Sequence, residues 1–403
     1  MTQRFSKGVA LCIALALTAC SPSATGTNPS AVPQPGLQTN ASATKTATQF
    51  FVHGRNIEMV TRNGAAPAAP KIMFLKGVDY APTPICDAPL DNPLGNKNSA
   101  IWKRDLTTLR ALNVNAIKVY NANPNAEPIG DFLSAAYNNG KHPIYVILSI
   151  FFPGAAALNP GAVADLKGQY LKLAQINGVY PAVIGMSIGS EVNAEDLISN
   201  PAWWKGMSEI ARGAREGFKA AGQPEKILTT TMVDDGMNTV RAGEANNFPI
   251  DAWGINAYKG PKFGDLWSTY QAASSKPFIV SEWGTPAAYH PNLNPSVAKE
   301  FPKAKIGELT DYVGGLGQQM YEHSTLNGGI GSGGFYFEFN DEWWKANDKC
   351  IQLPGPSRKP DPKFAGGFDD EAWFGLNIIS AGTPNVLTPR ATYSTLQNVW
   401  ANQ

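Results

Sequence analysis

The sequence predicts an α/β fold, a (β/α)8 barrel. Eight short apolar runs alternate with amphipathic segments, the pattern of a parallel sheet with crossover helices. They extend over about 265 residues, close to the roughly 250 of such barrels. No glycine-rich phosphate turn follows the first run, as it would in a doubly wound open sheet.

The runs lie at 74–80, 115–120, 143–150, 183–190, 226–232, 252–258, 278–283 and 333–339. Several are apolar at every position, as a strand must be when its two faces meet the barrel interior and the helix layer. Between them, Trp102, Leu106, Leu109 and Leu112 repeat at helical spacing, and so do Ile306, Leu309, Val313, Leu316 and Met320. A final helix is expected near 392–401. The segment 49–71 reads as a β-hairpin that caps the N-terminal face of the barrel.

Ahead of the barrel, Arg4 and Lys7 precede an uncharged apolar run from Val9 to Leu17. That run is far short of the roughly 20 residues that cross a bilayer, and it reads as the h-region of a signal peptide. It ends Leu17-Thr18-Ala19-Cys20, which resembles the lipobox of bacterial lipoproteins. The resemblance implies a signal peptide over 1–19 and diacylation of Cys20. Ser21 after the cysteine implies sorting to the outer membrane in a Gram-negative host. Ordinary cleavage near Ala19 is the alternative. Residues 20–48 read as a disordered tether with one charge, Lys45, and almost nothing to bury. The domain is then 49–403, with no second linker and no internal repeat.

Removing residues 1–19 takes away two of the 33 basic residues and none of the 32 acidic ones, for a net charge of −1. That balance gives no reason to expect a nucleic-acid partner. The ten Trp and 16% charged residues suit a surface that stacks sugar rings, although indoles also fill cores. His53, His142, His290 and His323 show no ligand spacing, so no metal and no cofactor is expected. The membrane is met through the lipid anchor only, and the domain reads as a monomer. Cys86 follows the first strand and Cys350 the eighth. Those strands are neighbours in a closed barrel, which makes a bridge across the rim the expectation and two separate thiols the alternative.

Two strands end in glutamate: Val183 to Ser190 runs into Glu191, and Phe278-Ile279-Val280-Ser281 into Glu282. A carboxylate at the end of an apolar strand is costly unless something pairs or uses it. At the C-terminal mouth of a barrel the usual use is catalysis. The two are 91 residues apart, about three β/α units, which places them on strands four and seven. Two opposed carboxylates are what retaining glycoside hydrolysis needs: one attacks the anomeric carbon, the other shuttles the proton.

The chain resembles clan A glycoside hydrolases, most closely family 72 β-1,3-glucanosyltransferases, with features of family 17 β-1,3-glucanases. The resemblance rests on an ordered set of motifs. They are Gly77-Val78-Asp79-Tyr80, Trp102-Lys103-Arg104-Asp105, Ile117-Lys118-Val119-Tyr120, Gly189-Ser190-Glu191-Val192, Asp234-Asp235, Gly254-Ile255-Asn256-Ala257-Tyr258, Val280-Ser281-Glu282-Trp283-Gly284, and the acidic-aromatic run from Phe337 to Lys345. It implies Glu191 as acid/base, Glu282 as nucleophile, and Tyr258 as a hydrogen-bond partner of the nucleophile. It also implies donor subsites lined by Asp79, Tyr80 and Tyr120, with stacking faces on Trp283 and Trp343. Ser190, Asn193, Asp234, Asp235 and Glu338 complete the expected substrate-binding set. Two residues depart from the pattern. Ser190 stands where an asparagine is usual, and Lys118 replaces an arginine, keeping its charge but losing its bidentate fork.

The function expected is a retaining hydrolase or transglycosidase acting on β-glucan, the β-1,3 linkage resting on resemblance alone. The alternative is a non-catalytic surface lipoprotein that binds glycans in a barrel cleft.

Overall fold

The computed structural model describes residues 47–403 except 64–65, 224, 347 and 356–357. The expected signal peptide, Cys20 and nearly all of the tether lie outside the described residues.

All eight expected strands are present: Leu75–Asp79, Ala116–Lys118, Tyr145–Ser149, Val183–Ser187, a fifth in two pieces (Ile227–Thr229 and Met232–Val233), Trp253–Asn256, Phe278–Trp283 and Gly331–Tyr336. Each pairs in parallel with the next, and strand eight returns to strand one. The two pieces of strand five form the ends of this path, one on strand four and the other on strand six. They are consecutive in the chain, so the sheet closes. Across the gap Thr230 takes over the ladder, its Oγ1 accepting from Gly254 N at 3.1 Å and donating to Gly254 O at 3.0 Å. Closure is tight here. A Cβ on Gly254 would stand 1.9 Å from Thr230 O, and one on Gly185 would stand 1.8 Å from Ile227 O, so only glycine permits this approach.

The apolar stripes read from the sequence are the buried helix faces. Trp102, Leu106 and Leu109 are buried from helix Ser99–Ala111, and Leu309, Val313, Leu316 and Met320 from helix Ile306–Glu322. Two long helices start on a repeated signal of asparagine followed by proline. Asn159 Oδ1 accepts from Ala162 N ahead of Pro160–Asn177, and Asn200 Oδ1 accepts from Ala202 N ahead of Pro201–Ala220. The asparagine satisfies a free N–H, and the proline has none to satisfy.

Under the barrel, strands Ala47–His53 and Asn56–Asn63 form a hairpin, joined by the short strands Ala66–Pro67 and Lys71–Ile72. It begins at Ala47, two residues inside the stretch read as tether, and Thr48 hydrogen-bonds Tyr137 OH at 3.0 Å. The hairpin is pinned under the strand starts: Phe50 meets Tyr145 edge-on at 4.9 Å, and Arg55 donates to Ser274 O at 2.6 Å.

The opposite, C-terminal face carries additions that the sequence periodicity did not reveal. Short antiparallel pairs, Ala288–Tyr289 with Lys299–Glu300 and Asn377–Ser380 with Val386–Pro389, decorate the rim. Arg390 locks them to the end of strand eight: its guanidinium bonds Asp341 at 2.7 and 2.6 Å and Glu300 at 2.9 and 2.5 Å. The fork saturates a buried carboxylate that would otherwise be costly. Cys86 and Cys350 form a disulfide across the same rim, with Cα atoms 4.2 Å apart.

Candidate active site

The floor of the mouth is built by strand ends, and the pleat decides which side chains reach it. Alternate residues point to opposite faces, so strand two sends both Lys118 and Tyr120 inward and strand six sends both Asn256 and Tyr258. Strands one and seven contribute Asp79 and Glu282.

Glu282 is buried and heavily held. Its Oε1 accepts from Tyr120 OH at 2.9 Å and faces Lys118 Nζ at 3.5 Å, while its Oε2 accepts from Tyr258 OH at 3.1 Å. Lys118 is shared: its Nζ lies 2.9 Å from Asp79 Oδ1 and 4.1 Å from the centre of the Tyr120 ring. Asp79 is fully buried, and burial pushes its carboxyl well above the ordinary range, with Lys118 opposing and the charge of Glu282 reinforcing. Burial also raises the phenols of Tyr120 and Tyr258 well above the usual tyrosine range, keeping them as donors.

Glu191 has the opposite surroundings. Its backbone is left-handed (φ 51°) just after Gly189 (φ 78°), and its N–H donates to Thr231 O at 2.7 Å. A glutamate in that region stores on the order of 1–3 kcal/mol of strain, the kind of distortion found where a side chain must be aimed. The carboxylate remains open to the cleft and accepts a single side-chain hydrogen bond, from Asn256 Nδ2 at 2.8 Å. Ser281 Oγ donates to Asn256 Oδ1 at 2.8 Å, which orients the amide with its NH2 toward Glu191. The Glu191 carboxyl is pushed up to about 7, first by the dense walls around it and then by the charge of Glu282, with Asn256 pulling down. The Glu191 side chain is nevertheless solvent-accessible at the mouth.

Of the expected site residues, Glu191, Glu282, Asp79, Tyr120 and Tyr258 converge. Ser190 is half-buried beside Glu191. Asp234 sits at the mouth, paired with Lys259 at 3.2 Å. Trp343 is half-buried on a short turn after strand eight, and its indole N–H has no partner among the described residues.

Other expected residues lie away from this convergence or are engaged elsewhere. Tyr80 and Trp283 follow inward-pointing carboxylates, so the pleat turns them away from the mouth. Tyr80 donates to Asp105 Oδ2 at 2.8 Å behind the barrel wall, and Trp283 is buried between Phe263 and Tyr336. Neither offers a face to a substrate. The amide of Asn193 is fully engaged with Val233 N, Val233 O and Thr239 Oγ1, and it braces the loop after strand four. Asp235 accepts from the Thr239 N–H and hydroxyl at the start of helix Asn238–Ala245. Glu338 has no exposed surface, and burial followed by the nearby Glu342 holds its carboxyl well above the ordinary range.

One contributor, Asn256, was not selected from sequence. Asn256 lies two residues before the expected Tyr258 on the same strand, a period-two signal that was available, as Lys118, noted in the sequence for replacing an arginine, lies two before Tyr120. Among the described residues no group of three or more His, Cys, Asp and Glu could hold a metal ion, and no helix is long and apolar enough to cross a membrane.

No protein-family model matches the chain. It is 28% identical over 234 residues to the 1,3-β-glucanosyltransferase gas5 of Schizosaccharomyces pombe, a stretch of 52% of this chain and 43% of that protein. The chain therefore spans under half the length of that relative. Among solved structures it is similar to Saccharomyces cerevisiae Gas2p in complex with laminaritriose and laminaritetraose, with a TM-score of 0.58, 17% identity, and 89% of this chain and 69% of that one covered. The complex of Gas2p with laminaripentaose gives a TM-score of 0.57 at 17% identity over the same share of each chain. These structures bear out the barrel fold, and gas5 bears out the motif resemblance to the family 72 enzymes.

Proposed function

We propose that this chain is a retaining glycosidase or glucanosyltransferase acting on β-1,3-glucan, with Glu282 as nucleophile and Glu191 as acid/base. The observation that carries it is the contrast between the two carboxylates. Glu282 is gripped by two phenols and a lysine in a fixed orientation, whereas Glu191 is open, singly hydrogen-bonded and pushed up to about 7. Such a divided pair is how one site supplies both an acid and an anion at the same pH.

In the first step Glu282 attacks the anomeric carbon as the glycosidic C–O bond breaks, and Glu191 gives its proton to the departing oxygen. The glycosyl ester on Glu282 carries no charge, so the electrostatic push on Glu191 disappears and its carboxyl falls back toward the ordinary range, which keeps it ionised and able to take the next proton. In the second step Glu191 takes a proton from an incoming hydroxyl. That oxygen bonds to the anomeric carbon, and Glu282 leaves as carboxylate. Water as acceptor gives hydrolysis; a sugar hydroxyl gives transfer. The β-1,3 linkage is supported by gas5 and by the laminari-oligosaccharides bound to Gas2p.

Anchoring belongs to the same proposal: a lipid on Cys20, a tether to about residue 46 and a monomeric barrel. The disulfide between Cys86 and Cys350 supports an oxidising compartment. The deciding experiment incubates residues 47–403 with β-1,3-, β-1,4- and β-1,6-linked oligosaccharides and reads product masses. Shorter products mean hydrolysis and longer ones transfer. No change with any substrate, with Glu282→Gln indistinguishable from wild type, would favour the glycan-binding alternative.

A further inference from the structure

A lone exposed phenyl on a protein surface needs no explanation. Phe151 differs in where and how it is held. It is 55% exposed between Ile150 and Phe152, at 4% and 3%, just past the C-terminal end of strand three, so its ring is open to solvent while its neighbours anchor the backbone. Phe152 packs edge-on against Tyr170 at 6.4 Å and lies 3.4 Å from where a Cβ on Gly189 would be, directly behind the loop that aims Glu191. The Tyr170 hydroxyl donates to Ser187 O at 3.0 Å and accepts from Gly189 N at 3.2 Å. The ring therefore stands on a rigid base that it shares with the acid/base residue.

A polar shelf adjoins it. Phe151 N donates to Asn121 Oδ1 at 3.3 Å, and Asn121 Nδ2 donates to Asp91 O at 3.1 Å and Oδ1 at 3.3 Å. Asn123 Nδ2 donates to Asp91 Oδ2 at 2.8 Å. Asp91 is exposed, and a carboxylate with one amide on each oxygen still has lone pairs to spare. Asn121 directly follows Tyr120, whose hydroxyl holds Glu282, and strand three lies between the strands that carry Tyr120 and Glu191. A largely exposed apolar face beside a carboxylate that still has lone pairs to spare matches a neutral pyranose, which is apolar on its face and hydroxylated at its edge.

We infer that Phe151, with Asp91 and Asn121, forms an outer sugar subsite on the wall of strands two and three, binding a glucan unit beyond those at the cleaved bond. This rests on the proposed glucan activity. The subsite makes long chains better substrates than short ones, and Phe151 sets that preference.

The experiment measures kcat/KM for β-1,3-linked glucose oligomers of two to seven units with wild type, Phe151→Ala, Phe151→Trp and Asp91→Ala. Wild type should improve with length. Phe151→Ala should flatten that rise, falling about tenfold on the longest oligomer, roughly the loss of one apolar contact face, mainly through KM. Phe151→Trp should keep the rise, and Asp91→Ala should lose part of it. An unchanged length dependence in Phe151→Ala overturns the inference while leaving the glucan reading intact. So does an equal fall of the alanine and tryptophan variants at every length, or a wild type with no gain beyond the shortest substrate. A wild type inactive on the whole series overturns the glucan reading, and the subsite with it.

Discussion

Replacing Glu282 with glutamine removes a charge and keeps the shape, and Glu191 should register it. At about 7 against an ordinary 4.5, the Glu191 carboxyl sits about 2.5 pH units high. Burial leads and the charge of Glu282 comes second, so neutralising Glu282 should lower the Glu191 value, by on the order of one pH unit. Coulomb's law agrees: two carboxylates at the roughly 5–5.5 Å of a retaining site, at an effective dielectric between 20 and 80, interact by roughly 0.6 to 2.3 pH units. Glu191 in the Glu282→Gln variant should therefore titrate near 6, and at pH 7 its protonated fraction should drop from about a half to about a tenth. Carbon-13 NMR titration of the Glu191 carboxyl in both proteins reads this directly, and the basic limb of the wild-type kcat/KM profile should fall near pH 7. Equal Glu191 midpoints in the two proteins would refute the coupling on which the acid-then-base cycle depends. The sign also fixes a stability trend. The folded value lies above the unfolded one, so the ionised Glu191 costs stability as pH rises from about 4.5 through 7. Glu191→Gln should melt above wild type at pH 8 and level with it at pH 4.

Three further outcomes are expected. Tyr258→Phe deletes the hydrogen bond to Glu282 Oε2; a bond to a charged group contributes roughly 1.5–3 kcal/mol, so kcat/KM should fall about 10- to 100-fold with the melting temperature nearly unchanged, and a loss under twofold would count against Tyr258 as a support of the nucleophile. Lys118→Met leaves the carboxylate of Glu282 buried without its cation and should lower the unfolding free energy by about 3–5 kcal/mol; adding Asp79→Asn should recover stability but not activity, and a single variant as stable as wild type would refute the shared-cation reading. Cys86→Ser opens the rim and should cost about 2–5 kcal/mol in denaturant unfolding, with reductant reproducing the loss in wild type; no shift in either case would mean that the bridge contributes nothing to the fold.

Strand positions were legible because a barrel strand must be apolar along its length, and that requirement is local. All eight runs became strands, and the Trp102 and Leu309 stripes became buried helix faces. The glutamate pair was legible for a related reason: few things justify a carboxylate at the end of such a run. Period-two alternation was equally available and would have moved Tyr80 and Trp283 behind the wall and brought Asn256 into the site. The rim was not legible. The pairs around Ala288 and Asn377 are too short to carry a period, and Arg390 reaches Glu300 and Asp341 from 90 and 49 residues away.

By itself, then, the sequence determined the repeating architecture and the two carboxylates that face each other across it, because both follow from patterns within a few residues. Which hydroxyl, amide or cation each carboxylate meets was decided only by closing the barrel. Lys118 lies 164 residues from Glu282, and Asn256 lies 65 from Glu191. Their protonation balance is a property of distance and burial, and no run of adjacent residues encodes either.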